Sequence, residues 1–349
     1  MTPEESITLI KANLAEVLNP EIIDDVILKG DQPLRVYWGT APTGKPHCGY
    51  FVPMVKIAEL LHAGCHVKIL LADKHAHMDS QATLKEIKYR CEYYRLLIQS
   101  SLKAIGVDVS QLEFVVGSSF QETREYEAHR FRFSNNVTVS PSIKAGSEVV
   151  KQGKNPTLGS VEYPIWQSLD EEYLNADAEL GGVDQRKLFT FAIDHMPKLD
   201  CNDQKLRKAV CAPKEVEGNG VVAFIEHVIF RVESLKTNGE PRFTVETRTG
   251  EILVYEDISK LKEDYASDIL TPQMIKPALI KALNDLLDPI RKDFESDEEW
   301  KRISKLAYPV QGKPERGNKV KNNGKRSKGL PIQVKDHQAT DSVILMVMY

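Results

Sequence analysis

The chain has 349 residues, with 50 acidic against 46 basic side chains and a formal charge of −4. That length suits two domains and buries a sizeable core. The charge balance excludes a global field for polyanions, so any nucleic-acid contact must rest on local patches.

No apolar run approaches the roughly 18 residues that a membrane helix needs. Met1 to Leu18 is polar and acidic and has no signal-peptide pattern. The cysteines at 48, 65, 91, 201 and 211 are scattered without a C-x-x-C. They read as reduced thiols of a cytoplasmic protein. His75 and His77 stand two apart without a further ligand nearby, so no metal site is expected.

Residues 3–18 read as an amphipathic helix with Ile7, Ile10, Leu14 and Val17 on one face. The run Arg35-Val-Tyr-Trp-Gly-Thr-Ala-Pro-Thr-Gly-Lys-Pro-His-Cys-Gly-Tyr50 follows. It begins with β-formers, is broken by Gly39, Pro42, Gly44 and Pro46, and passes into helical spacing at Phe51, Met54, Ile57 and Leu60. A strand turning into a helix N-terminus is built for phosphate, because unpaired N–H groups and the positive dipole end face the anion. An ordinary βα turn with a capping histidine has the same shape, and the residues alone leave both readings open. There is no Walker A motif and no G-x-G-x-x-G after this strand.

Strands are expected at 66–73 and 112–117, with a long helix at 81–105 between them. Strand, helix, strand, helix, strand implies βαβ units and a parallel sheet. Residues 121–160 interrupt the alternation as a helical insertion. In 162–174, Tyr163, Gln167 and Asp170 stand at i, i+4 and i+7, on one helical face. A solvated face would carry such residues, and so would a helix lining a small polar ligand. A fourth strand at 176–180 leads through Gly181-Gly-Val-Asp-Gln185 into a helix reaching about Met196.

Residues 201–310 read as mainly helical, with an apolar helix at 221–230, a hairpin around Thr249-Gly250, and a helix capped by Thr271-Pro272. Residues 311–330 hold seven Lys or Arg against one Glu, a local charge of +6. They read as a disordered basic linker, a solvated tail on one reading and a phosphate-backbone contact on the other. The apolar stretch Val343-Ile-Leu-Met-Val-Met348 is too short to span a membrane.

Four of these elements, in this order, carry a resemblance. The sequence P-T-G-K-P-H-C-G at 42–49 resembles the HIGH-type signature of class I aminoacyl-tRNA synthetases, with Tyr50 where the signature ends in His. With Tyr37-Trp38-Gly39 ahead of it, it is similar to the tyrosyl-tRNA synthetases of the eukaryotic and archaeal type. Tyr163-x-x-x-Gln167-x-x-Asp170 and the G-G-x-D-Q element at 181–185 resemble the same family, as does Leu286-Leu-Asp-Pro-Ile-Arg291. The resemblance covers about residues 5–310.

It implies a Rossmann-like α/β fold, a parallel sheet with helices on both faces followed by a mainly helical domain. The expected divisions are a catalytic domain at 1–199, an anticodon-binding-like domain at 200–310 and a basic tail at 311–349. It implies ATP-dependent activation of L-tyrosine to tyrosyl-adenylate and transfer to tRNA(Tyr), with Mg2+ carried on the ATP. Tyr163 and Gln167 would hold the amino group, Asp170 and Tyr37 the phenol hydroxyl, and Gln185 would face the tyrosine. Tyr37 and Asp170 together suit a phenol rather than an indole. Lys45 and His47 would serve the phosphates in the catalytic step. Gly39, Thr40, His47, Gly49, Gly182 and Asp184 would form the ATP site. The insertion at 121–160 would make a homodimer interface.

Two features depart from the family. Its K-M-S-x-S signature is absent, and the chain passes from Leu199 straight to Asp200-Cys-Asn-Asp-Gln-Lys. The adenine-covering strand and the signature loop are expected to be missing together, leaving a sheet neighbour uncovered. Met274 stands where the family reads an anticodon base with an aspartate, and a thioether cannot accept hydrogen bonds as a carboxylate does. The alternative function is therefore a catalytically impaired relative that binds tyrosine, tRNA or a partner, arising as a splice form, a divergent paralogue or an incomplete gene.

Overall fold

The computed structural model describes residues 1–80, 82–150, 155–198, 220–237, 239–247, 249–267 and 269–309, and the backbone of 343–347. The elements run α1 (Pro3–Lys11), β1 (Glu16–Leu18), α2 (Glu21–Lys29), β2 (Arg35–Thr40), α3 (Phe51–His62), β3 (His66–Leu71), α4 (Asp73–Asp79), α5 (Leu84–Ile105) and β4 (Leu112–Val116). The insertion holds α6 (Ser118–Gln121), α7 (Arg124–Asn136) and α8 (Val139–Ala145), followed by α9 (Leu158–Tyr173), β5 (Ala178–Gly182) and α10 (Arg186–His195). Beyond them lie α11 (Gly220–Phe224), α12 (Phe230–Lys236), the hairpin β6 (Phe243–Glu246) and β7 (Ile252–Tyr255), α13 (Ile258–Ala266), α14 (Pro272–Ser296), α15 (Glu298–Ala307) and β8 (Val343–Val347).

Local chemistry sets several of these boundaries. Thr2 with Glu5, and Thr83 with Glu86, form reciprocal capping boxes at the starts of α1 and α5. Gly106 ends α5 at φ 94°, a conformation that a side chain would strain. Thr271 occupies the N-cap of α14 with Pro272 behind it, as the sequence predicts.

The sheet order is β1-β8-β5-β2-β3-β4. Strands β5, β2, β3 and β4 are mutually parallel, with Tyr37 opposite Glu179 and Tyr37 opposite Lys68 in register. The chain runs outward from β2 to β3 and β4, then returns to place β5 on the other side of β2. The carboxyl ends of β2 and β5 therefore part at the point where strand order reverses, which is where such sheets form a ligand crevice. Arg35 fixes this pair of strands, since its guanidinium donates to both carboxylate oxygens of Asp177, at 3.0 and 2.5 Å.

Two expectations are corrected. Residues 3–18 are not one helix: α1 ends at Lys11 and residues 16–18 form strand β1. Asn13 at φ 58° turns the chain between them. Nor is β5 left with an uncovered edge. Strand β8 lies antiparallel to it, with Ile344 opposite Gly181 and Val343 opposite Gly182, and parallel to β1 on its other side. The end of the basic tail thus supplies a sheet strand. The junction at Leu199–Asp200, Cys201, Cys211 and the basic run 311–330 lie outside the described residues.

Helices α14 and α15 pack on α5. Ser100 donates to Asp293 at 2.6 Å, Arg90 to the carbonyl of Ala307 at 3.0 Å, and Trp300, Ile290 and Leu286 share one core with Ile98 and Leu102.

Candidate active site

A hollow of about 370 Å3 opens at the parted ends of β2 and β5. Its floor is sheet, with Tyr37, Gly39 and Thr40 from β2 and Glu179, Gly181 and Gly182 from β5. Its wall is α9, which contributes Tyr163, Gln167 and Asp170. Asp184, Gln185, Tyr50 and His75 complete it. Nine of the residues expected at the site therefore meet in one place: Tyr37, Gly39, Thr40, Tyr163, Gln167, Asp170, Gly182, Asp184 and Gln185.

Lys45, His47 and Gly49 do not line it. Lys45 Nζ sits 5.3 Å above the ring of Tyr308. His47 is the N-cap of the turn at Cys48–Tyr50, where its Nδ1 accepts from Gly49 N–H at 3.2 Å. That bond leaves Nε2–H as the free donor. His47 packs edge-on against Tyr50, 5.7 Å between ring centres, so it adjoins the hollow. The turn itself is held from two sides, since Tyr94 and Tyr308 both donate to the Gly44 carbonyl at 2.8 Å.

One end of the hollow is an acid held by neutral donors. Asp170 is fully buried. It accepts both oxygens' bonds from Gln121 Nε2, at 2.7 and 2.9 Å, and one from the Tyr126 hydroxyl at 2.9 Å. Burial pushes its pKa up to about 8, and those two donors hold it back from going further. Among the described residues, Tyr37 Oη is buried beside Glu179 without a hydrogen bond of acceptable geometry, and both ring nitrogens of His75 are buried without a partner. Burial lowers His75 to about 3, so its imidazole is neutral. It packs edge-on to Tyr163 at 4.6 Å, with Nδ1 3.8 Å from Asp170, too far for a hydrogen bond.

The other end is amide and carboxylate. Gln167 Nε2 donates to Glu179 Oε1 and to Gln185 Oε1, each at 3.1 Å. Glu171, one turn beyond Gln167 on α9, is buried beside Glu179. Burial raises both carboxyls, Glu179 to about 7, and the charge of Glu179 raises Glu171 further. Burial also raises Asp184. A side chain at Gly181 would strike the buried ring of Phe189, so that glycine is required by close approach, whereas one at Gly182 would meet only the carboxylate end of Asp184.

Sequence reasoning missed Gln121, Tyr126, Glu171 and Glu179, and read His75 only as a metal candidate. Gln121 and Tyr126 come from the insertion, where helical spacing says nothing about which face meets α9. Glu179 had a usable signal, an acid inside an otherwise apolar strand.

The family described as tRNA synthetases class I (W and Y) matches residues 29–216. The cytoplasmic tyrosine–tRNA ligase of Saccharomyces cerevisiae is 39% identical over 370 residues, covering 94% of this chain and 94% of the relative. That of Danio rerio is 39% identical over 397 residues, covering 99% of this chain and 73% of the relative. Both spans exceed the 349 residues present, so each relative carries segments without a counterpart here. The tyrosyl-tRNA synthetase of Pyrococcus horikoshii complexed with L-tyrosine superposes with a TM-score of 0.75 at 26% identity, covering 87% of this chain and 99% of that one. That of Archaeoglobus fulgidus, also with L-tyrosine, gives 0.71 at 26%, covering 84% and 99%. With a sheet that parts at β2 and β5, a polar α9 face above it and a relative matched over 94% of both chains, the chain belongs to the tyrosine–tRNA ligases of the class I tRNA synthetases.

Proposed function

We propose that this protein is a cytoplasmic tyrosine–tRNA ligase whose hollow takes L-tyrosine and ATP. The observation that supports this most is the pairing of two unlike ends. Asp170 with Tyr37 offers a hydrogen-bonding pair at the closed end, and Tyr163, Gln167 and Gln185 offer polar groups at the other. A phenol at the first end and an α-amino group at the second use both. Tyr37 Oη, buried and without a hydrogen-bond partner among the described residues, would gain one in the substrate phenol.

In the first step the tyrosine carboxylate attacks the α-phosphate of ATP, and pyrophosphate leaves. In the second, a terminal ribose hydroxyl of tRNA(Tyr) takes the tyrosine. No side chain becomes covalently attached, so the protein's part is positioning and charge stabilisation. Gly39, Thr40, Gly49, Gly182 and Asp184 would hold the nucleotide. Nε2–H of His47 and Nζ of Lys45 would reach the phosphates from the turn above the hollow, and Mg2+ would arrive with the ATP. The chain has no K-M-S-x-S sequence. Loss of one preorganised donor to developing charge slows a reaction by about 10²–10³, and we place adenylate formation at that reduced rate.

We further propose the division into a catalytic unit, a helical tRNA-binding unit and a basic tail, and a homodimer through the insertion. Phe131, Val139 and Leu158 support the dimer: they are 72, 61 and 85% exposed, on α7, α8 and α9. Tyrosine-dependent exchange of pyrophosphate into ATP tests the activity. Exchange above the level without tyrosine supports it, and exchange indifferent to tyrosine refutes it.

A further inference from the structure

Glu179 is 3% exposed, lines the hollow, and sits in the central sheet where β5 is otherwise Ala, Leu and Gly. A carboxylate there needs a reason, since an apolar residue would satisfy the sheet at lower desolvation cost. Its surroundings supply one. Gln167 turns its –NH2 toward this carboxyl, and once ionised a carboxylate can only accept, which holds the amide that way round. The second N–H of that –NH2 goes to Gln185 Oε1, also at 3.1 Å. Both donors of Gln167 are then committed. Its carbonyl oxygen is what remains to face a ligand, and Gln185, having given its own oxygen, keeps its –NH2. Without an acceptor-only group at 179, either amide could turn over at little cost. The site would then present donors where a substrate ammonium brings donors of its own.

We infer that Glu179 is a positioning residue that sets the polarity of the Gln167–Gln185 pair, leaving the Gln167 carbonyl at the open end of the hollow as an acceptor for a primary ammonium group. The inference rests on the tyrosine reading and extends it to how the amino end is recognised.

Three ligands that share the phenol separate this role from a structural one. L-tyrosine has both α-groups, tyramine only the ammonium, and 3-(4-hydroxyphenyl)propionate only the carboxylate. Calorimetric titration of the full chain with each is compared for wild type, Glu179→Gln and Glu179→Asp. Glu179→Gln keeps the volume and removes the acceptor-only character. The expected result is a loss of roughly ten- to a hundredfold in affinity for tyrosine and tyramine, the range for a hydrogen bond to a charged group. The propionate affinity stays within about twofold, and Glu179→Asp recovers part of the loss. Equal weakening of all three ligands, or no change in any, overturns the inference while leaving the tyrosine reading intact. Wild-type protein that binds none of them overturns the tyrosine reading and the inference together.

Discussion

The hydroxyl of Tyr126 donates to Asp170 across 2.9 Å, joining the insertion helix α7 to the wall of the hollow. Tyr126 is itself fully buried. An insertion proposed to build a dimer interface therefore also sets the electrostatics of the pocket. Tyr126→Phe removes one of the donors to the acid and leaves its volume filled. Tyrosine affinity should fall about three- to tenfold, the equivalent of about 1 kcal/mol for one hydrogen bond. Titration of wild type and variant with L-tyrosine measures it, and an unchanged affinity contradicts the link.

Asp170 also governs stability against pH. Its folded pKa, raised by burial to about 8, lies above the unfolded value near 4. The folded state then holds a proton that the unfolded state has lost, so stability is lost as pH rises through about 8. Burial raises Glu179 and Glu171 with the same sign. His75 acts with the opposite sign but only below about pH 7.5, where the unfolded imidazole still takes a proton. The melting temperature of the ligand-free protein should therefore fall between pH 6.5 and 9. Asp170→Asn should flatten that fall and melt higher than wild type at pH 9. Parallel pH profiles for the two proteins would contradict the assignment.

Arg35 and Asp177 hold β2 and β5 together at their amino ends, with Arg35 also donating to Asn175 at 2.9 Å. The pair is partly exposed, which reduces its worth below that of a buried one. Arg35→Met should lower unfolding free energy by about 1–2 kcal/mol. Chemical denaturation measures this, and the hollow, lying at the opposite ends of the strands, should bind tyrosine as before once the protein is folded.

Strand β8 occupies an interior position of the sheet, so its backbone pairs on both sides. Leu345 pairs with Leu180 and with Val17. Leu345→Pro removes a ladder donor from a central strand, which proline tolerates only at edges. The variant should melt lower and bind tyrosine more weakly, because Gly181 and Gly182 lose their neighbour. A melting curve identical to wild type would show that 343–347 contributes nothing to the sheet.

The pocket wall was legible because α9 is a regular helix, and residues at i, i+4 and i+7 share a face whatever surrounds them. The turn at 181–185 and the strand at 35–40 were legible from glycines and β-formers in a recognisable order. Three kinds of feature were not. Strand β1 is three residues long and its apolar residues fit a helical stripe equally well, so only its pairing with β8 reveals it. The place of β8 depends on contacts with residues more than 150 positions away, which periodicity does not encode. Gln121, Tyr126 and His75 reach Asp170 from three separate elements, and only the packing of α4, α6 and α7 against α9 brings them there.

The tyrosine ligase reading requires the hollow to grip a phenolic amino acid at both polar ends. Competitive calorimetric titration with L-tyrosine and L-phenylalanine tests it most directly. A site that hydrogen-bonds a hydroxyl rejects the analogue without it by up to about 10⁴–10⁵. Tyrosine should bind, with phenylalanine at least a thousandfold weaker, and that gap should collapse in Asp170→Ala. Equal affinity for the two amino acids, or a preference that survives the loss of Asp170, would contradict it.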